Sequence, residues 1–412
     1  MLHEASQKID KAENLRQITI RMNVYFICSL LIAAIFSFHP APSVAKLPRA
    51  RPEKVGMSSS HLRHIKEVMD RAIQEKETPG GVVIVLRNGY IVYRGAFGLK
   101  AVEPEPEPIS VDTIYDMASL TKVVCTTSMI MLLVQDGKLR LDDPVSMFIP
   151  EYKGGDKYET TLRHLLTHTS GLPPFKRYFE QFPEGNARQK IILDICETPL
   201  RAKPGEQFVY SDLGFILLGE IIERVTGMGL DKVAVERIFK PLGMKDTMFT
   251  PPDELKPRCA PTEKRNGKFL RGEVHDGNAW VQNGVSGHAG LFSTADDLAI
   301  FCQMLLDNGR YKNGAIFSPL TVKAMTSPQI NLNGEVRGLG WDIDSHYSYV
   351  RGDLFPKESF GHTGWTGTSL WLCPRERCAI ILLTNRNHPD EKGDVKRLRA
   401  LVSNIVASSI IK

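Results

Sequence analysis

The chain has 412 residues, 42% apolar and 24% charged, with 33 Gly and 25 Pro scattered without a short repeat. That composition excludes a collagen, a coiled coil and a wholly disordered chain, and it leaves enough length for a large buried core with a cleft. The 52 basic and 47 acidic residues leave a net charge of only +5 spread along the sequence, so the clustered basic stripe that a phosphate backbone requires is missing and no nucleic acid partner is expected.

Residues 24–38, VYFICSLLIAAIFSF, carry no charge; Arg16 and Arg21 precede them and Ser43-Val44-Ala45 follows. A charged segment, an apolar run and small residues at a cleavage point are the parts of an export signal. Residues 1–45 therefore read as a signal peptide, with Met22 as an alternative start, and 46–412 as a secreted or periplasmic mature chain. The run is shorter than the roughly 20 residues that span hydrocarbon, so no stable membrane span is expected after cleavage; an uncleaved anchor is the competing reading. Of seven cysteines, Cys28 lies in this run. Cys125, Cys196, Cys259 and Cys302 sit among apolar neighbours without metal-ligand spacing and read as buried thiols. Cys373 and Cys378 flank a turn, either as two thiols or as a cross-hairpin disulfide.

Further along, residues 60–76 read as a helix and 81–98 as two strands joined at Asn88-Gly89, a pair suited to the positive φ of a tight hairpin. EPEPEPIS (103–110) alternates proline with acid and reads as an exposed loop without ladder bonds. From 119 to about 245 apolar residues recur at helical spacing, with stop glycines at Gly137, Gly171 and Gly227. A helix over 295–309 would be capped by Ser293 or Thr294. Strand patterns return in 338–343, 369–373 and 378–385, before a last helix over 391–410. The order predicts an α/β (α+β) fold: one sheet from both chain ends, about 56–118 and 335–412, and a mostly helical part, about 119–334, inserted between them.

Three short motifs carry chemistry. Ser119-Leu120-Thr121-Lys122 opens an apolar helix, which puts Lys122 one turn beyond Ser119 on the same face. A serine hydroxyl becomes a nucleophile when a base takes its proton, and a buried lysine with a lowered pKa can serve. The helix N-terminus adds positive potential where an oxyanion would form; a plain helix cap is the simpler role for Ser119. Tyr210-Ser211-Asp212 stands at a strand-to-helix turn, where the phenol would relay a proton or Ser211 or Asp212 would cap the helix. His362-Thr363-Gly364 lies in a glycine-rich stretch that reads as an edge strand, open to a ligand along its backbone.

In this order the motifs resemble the serine β-lactamase and penicillin-binding protein superfamily. LRHLLTHTSGLP (162–173), PGEQFVYSDLGFILLGEIIERVTG (204–227), GVSGHAGLFSTADDLAIF (284–301) and FGHTGWTGTSLWL (360–372) resemble its class C β-lactamase-related branch of esterases, D-alanyl-D-alanine carboxypeptidases and penicillin-binding proteins of the 4B type. The resemblance implies an antiparallel sheet flanked by helices and an acyl-enzyme mechanism. Ser119 would attack a carbonyl, and Lys122 and Tyr210 would shuttle protons. The backbone N–H groups of Ser119 and Trp365 would form the oxyanion hole, and Asp212, His362, Thr363 and Gly364 would line the substrate cleft. It implies no metal and no other cofactor. Esters, D-alanyl peptides or muropeptides and β-lactams are the expected small-molecule substrates. A β-lactamase proper and a penicillin-sensing module that acylates once are the alternatives. The chain departs from the lactamase pattern at Asp212, where many members have Asn, and at His362, where β-lactamases usually have Lys. Imidazole with an ordinary pKa of about 6.5 is mostly neutral at pH 7, so weak or absent β-lactam hydrolysis is expected.

Two rivals fail on spacing. No GxSxG elbow is present, since Gly284-Val285-Ser286-Gly287-His288 lacks the second glycine at the required place. His164 and His168 have no HExxH glutamate and read as packing or capping residues.

Overall fold

The computed structural model describes residues 47–312 and 314–412; the signal-peptide reading of 1–45 lies outside them. Gly80–Arg87 forms a strand buried at every position. Its apolar run faces two ways, with Val82, Ile84 and Leu86 entering one core and Val83 and Val85 another. Two-sided burial explains why the strand is a continuous apolar run instead of an alternating one. Asn88 (φ 49°) and Gly89 (φ 84°) turn it into Tyr90–Ala101, as the hairpin pattern predicts.

Around this hairpin is one antiparallel sheet of nine strands. Their spatial order is Ile330–Leu332, Glu335–Arg337, Asp342–Asp344, Phe360–Thr363, Ser369–Cys373, Cys378–Thr384, Gly80–Arg87, Tyr90–Ala101 and Glu107–Pro108. The C-terminal strands thus pair with the N-terminal ones, Val83 opposite Leu382, and the sheet is built from both chain ends. The helices His64–Gln74 and Lys396–Ser408 cover one face, contributing Ile65, Met69, Leu398 and Val402. The helix Ala295–Leu306, capped by Thr294, belongs to the core on the other face, together with the helices of the inserted part. Among the described residues no helix is long and apolar enough to cross a membrane.

Several local expectations are corrected. Glu107 and Pro108 pair with Ala101 and Leu99, so the proline–acid segment ends in ladder contacts; at the sheet's outer edge proline's missing N–H can face away from the partner. The strands Ile330–Leu332 and Glu335–Arg337 form a hairpin that the sequence pattern did not reveal, each being only three residues long. Phe360–Thr363 is an interior strand, but its neighbour Asp342–Asp344 pairs with it only at Gly361. Beyond that point the side of His362 and Thr363 away from Ser369–Cys373 has no ladder partner among the described residues, so the strand behaves locally as an edge. Cys373 and Cys378 stand opposite each other as buried free thiols.

Candidate active site

Ser119 is held at the junction of the two parts of the fold. Tyr115–Asp116 pairs with Leu291–Ser293 in a small sheet, and Ala118 then takes a positive φ of 45°. That conformation is strained for a residue with a side chain, and Asp116 offsets it by accepting the Ala118 N–H at 2.8 Å. The chain passes Ser119 in a turn and winds into a helix whose Lys122–Thr127 segment is a π-turn before Ser128–Gln135 continues as α-helix. Widened turns of this kind are frequent at functional sites. Thr126 donates to the Gly287 carbonyl at 2.6 Å, and Thr121 accepts from Leu291 N–H at 3.1 Å. A Cβ on Gly287 would fall 2.0 Å from the Phe215 carbonyl, so only glycine lets the 287–291 segment pass this close to the helix Asp212–Thr226.

The Lys122 side chain is fully buried. Its amine donates to Ser119 Oγ at 2.9 Å and to the His288 carbonyl at 2.9 Å. It also forms an ion pair with Asp212 Oδ1 at 2.7 Å. The His288 carbonyl and the Asp212 carboxylate can only accept, which suits an ammonium. Burial works against that charge, but Asp212 and Tyr210 outweigh it and hold the Lys122 pKa above the ordinary lysine value. This corrects the expectation of a lysine with a lowered pKa. Desolvation is present, but Asp212 stands where it reverses the sign.

Ser211, not Asp212, caps the helix Asp212–Thr226, accepting from Gly214 N–H at 3.4 Å. The Tyr210 ring stacks on His168, 4.3 Å between centroids, and lies 5.1 Å from Lys122 Nζ. Its hydroxyl is buried and interacts with the Lys122 amine. His168 accepts the Ser211 N–H on Nδ1 at 3.0 Å, so the packing role expected of it is specific: it fixes the plane of Tyr210. His164 caps its own helix with Thr161.

His362 Nδ1 lies 2.8 Å from the Thr363 carbonyl. A carbonyl only accepts, so Nδ1 carries the proton and Nε2 keeps its lone pair. Burial first, then the cations Arg337 and Lys122, push the His362 pKa well below the ordinary imidazole value. The ring is neutral with more margin than its ordinary pKa implies.

Strand Phe360–Thr363 ends before Trp365, which sits in the following turn. That turn is bound to the segment preceding Ser119: Thr366 Oγ1 donates to the Asp116 carbonyl at 2.7 Å and Thr368 Oγ1 to the Met117 carbonyl at 3.1 Å. A Cβ on Gly364 would lie 2.4 Å from the Met117 oxygen, so glycine permits the approach. Among the described residues the backbone N–H groups of Ser119 and Trp365 donate to nothing.

Three contributors escaped the sequence reading. His288, noticed only inside a failed elbow motif, is buried and bonded through Nε2 to Asp276 Oδ1 at 2.9 Å and through Nδ1 to Ser286 Oγ at 2.9 Å. Its own carbonyl is the one that holds Lys122. Asp276 also caps a helical turn at Ala279 N–H, and its carboxylate, the Asp212 carboxylate and the His288 ring nitrogen lie within 4.8 Å of one another. Arg337 is 1% exposed, bonded to Asp342 and the Gly340 carbonyl, with its guanidinium 5.2 Å from the Phe208 ring and 6.0 Å from the Tyr210 ring. No local motif announces these residues; only the fold gathers them.

Residues 63–404 match the family model described as Beta-lactamase. The chain belongs to the beta-lactamase family. It is 34% identical over 382 residues to the N-acetylmuramyl-L-alanine amidase of Bacillus subtilis, covering 83% of this chain and 86% of that one. A Salmonella agona protein named "Putative D-alanyl-D-alanine carboxypeptidase" matches with the same identity and coverage. Among solved structures, EstCE1, a hydrolase with promiscuous acyltransferase activity, superposes with a TM-score of 0.70 at 22% identity, covering 84% of this chain and 99% of that one. A class C beta-lactamase superposes with a TM-score of 0.69 at 21% identity, covering 85% and 97%. The antiparallel sheet flanked by helices is the fold of these neighbours, and the chain is a serine hydrolase of this family.

Proposed function

We propose that the chain is an exported serine hydrolase that cleaves amide bonds of cell-wall muropeptides through an acyl-enzyme on Ser119. One observation carries the reading: a buried Lys122 amine 2.9 Å from Ser119 Oγ, at a serine whose backbone N–H, like that of Trp365, is unengaged. Two unpaired donors beside a nucleophile suit a developing oxyanion better than a resting structure. The names of the curated relatives, which differ in the muropeptide amide they specify, support the substrate class.

The proton path follows from the charge state. An ammonium has no lone pair, so Lys122 accepts the Ser119 proton only as it passes one of its own to Asp212, 2.7 Å away. Ser119 Oγ bonds to the carbonyl carbon, the carbonyl electron pair moves to its oxygen, and Asp212 ends protonated. Tyr210, whose hydroxyl interacts with the Lys122 amine, then delivers a proton to the leaving nitrogen as the C–N bond breaks and recovers one from the Lys122–Asp212 pair. Water enters by the reverse path and releases the acid. A neutral His362 offers no permanent charge to a substrate carboxylate, which favours an internal muropeptide amide over an anionic β-lactam.

The test is incubation of residues 46–412 with purified muropeptides, a neutral chromogenic ester and a chromogenic cephalosporin, followed by mass spectrometry. Catalytic release of a peptide or of D-alanine, with a transient adduct on Ser119, is expected. Stoichiometric acylation by the cephalosporin with no turnover of any amide would instead make the chain a sensor. N-terminal sequencing of the exported protein tests cleavage before Lys46.

A further inference from the structure

We propose that the indole of Trp365 is a sugar platform, on whose open face a pyranose ring of the substrate stacks while Ser119 attacks a carbonyl beside it. The proposal rests on the Ser119 reading above and adds to it the class of group that flanks the scissile bond.

Tryptophan is a costly side chain to leave in water, since burial of its large apolar surface is favourable. Trp365 is nonetheless 63% exposed, and it is not a loose surface residue. The Arg386 guanidinium lies over its ring, 4.6 Å from the centroid. Arg386 is itself fixed, its Nε donating to the Trp365 carbonyl at 2.6 Å and its Nη1 to the Gly393 carbonyl at 2.9 Å. The indole Nε1 donates to Glu391 Oε1 at 3.4 Å. That oxygen also receives Asn387 Nδ2 at 3.1 Å and lies 2.7 Å from His275 Nε2. One face and one edge of the ring are therefore clamped, and the exposure belongs to the rest of it. A rigid aromatic surface left open beside a nucleophile marks a place where a ligand completes the packing.

The surroundings decide the ligand's chemistry. A fatty acyl chain would be held by an enclosed apolar groove, but the side chains around Trp365 are charged or polar: Arg386, Glu391, His275 and Asn387. A flat apolar face rimmed by hydrogen-bonding groups fits a pyranose, which has C–H groups on its faces and hydroxyl or amide groups around its edge. Glu263, His275 and Glu391 have ligand atoms within 4.8 Å of one another, close enough to hold a cation, yet Glu391 Oε1 is already satisfied by three neighbours and acts as the indole's clamp. Position fixes the reach. The Trp365 backbone N–H faces the reacting carbonyl in the proposed mechanism, so a sugar stacked on the Trp365 ring lies within two or three residues' length of that carbonyl, at roughly 3.5 Å per residue of extended chain. The platform thus favours an amide near the sugar over one at the far end of the peptide.

The experiment compares muramyl dipeptide with the same dipeptide carrying a lactyl group and no sugar. In the wild-type chain kcat/KM is expected to be higher for the sugar-bearing compound, and Trp365→Ala is expected to lower the ratio of the two values about tenfold, the size of one good aromatic contact. Trp365→Phe should restore most of the ratio. Binding is read separately by saturation-transfer NMR of N-acetylmuramic acid with the Ser119→Ala chain, whose sugar signals should vanish in Ser119→Ala/Trp365→Ala. An unchanged ratio together with unchanged saturation transfer in the Trp365 variants overturns the platform. Lack of turnover of every substrate, with saturation transfer that still depends on Trp365, overturns the Ser119 reading and leaves the platform standing.

Discussion

The two walls of the Ser119 cleft use their polar groups in opposite ways. On the Lys122 wall the amine is fully buried and has three oxygen neighbours, and the His288 segment behind it is pinned through both ring nitrogens. On the Trp365 wall the backbone N–H is unengaged among the described residues and most of the indole lies open. The difference separates two tasks. Proton transfer requires donor and acceptor already at bonding distance, and buried polar groups keep that geometry only when satisfied. Recognition and oxyanion stabilisation require donors that are held in place but unpaired until substrate arrives.

The largest effect should come from the closed wall. Ser119→Ala is expected to lower kcat on the chromogenic ester by about a millionfold, as nucleophile removal does in serine hydrolases, and Lys122→Ala by about a hundred- to ten-thousandfold. Circular dichroism checks folding, and ordinary turnover in folded Ser119→Ala sinks the mechanism.

Asp212→Asn tests whether the ammonium state is imposed by its carboxylate. Without Asp212, desolvation dominates and the Lys122 pKa falls. The variant should lose about a hundredfold in kcat/KM near pH 7, the size of one proton-transfer contribution, and regain activity as pH rises and Lys122 itself becomes the neutral base. A variant with the wild-type pH profile would show that Asp212 takes no part in the proton path.

The pinning behind Lys122 is tested by Asp276→Ala and His288→Leu. Each releases the carbonyl that orients the amine and is expected to lower kcat by up to about a hundredfold, the effect of a displacement near 1 Å, with KM little changed. Because the two residues act as one brace, the double variant should be no slower than the worse single one. Additive losses would mean that they support the site independently.

The smallest effect concerns His362. Its pKa lies well below the ordinary imidazole value because of burial, Arg337 and Lys122, so the ring stays neutral above about pH 6.5 and for some distance below it. The ratio of kcat/KM for an anionic cephalosporin to that for a neutral ester should therefore be flat between about pH 6 and 8. His362→Lys should raise this ratio about tenfold, which corresponds to about 1.4 kcal/mol of added charge pairing in the transition state. A ratio that rises as pH falls through 6.5 in the wild type would place the His362 pKa back at its ordinary value.

Much of this architecture is legible along the chain, because periodicity and turn chemistry are local. The two-faced strand Gly80–Arg87, the Asn88-Gly89 turn and the Thr294 cap follow from neighbours in sequence. The short hairpin strands at 330–337 do not, since three residues carry no period. The spacing of Ser119 and Lys122 already places an amine beside a hydroxyl, as one helical turn requires. Their charge state is another matter. Lys122 and Asp212 are ninety residues apart, and the pKa of a buried amine depends on what stands within a few ångströms of it. Likewise Asp276, His288 and Arg337 acquire a relation to the site only where the inserted helical part closes on the sheet, and Trp365 is held as a surface only because Arg386 and Glu391 fold back onto it and His275 reaches Glu391 from the inserted part. The sequence determined which groups can do acyl-transfer chemistry; the tertiary structure decided which of them are charged, pinned or left open, because desolvation and Coulomb interactions depend on distance in space and not on separation along the chain.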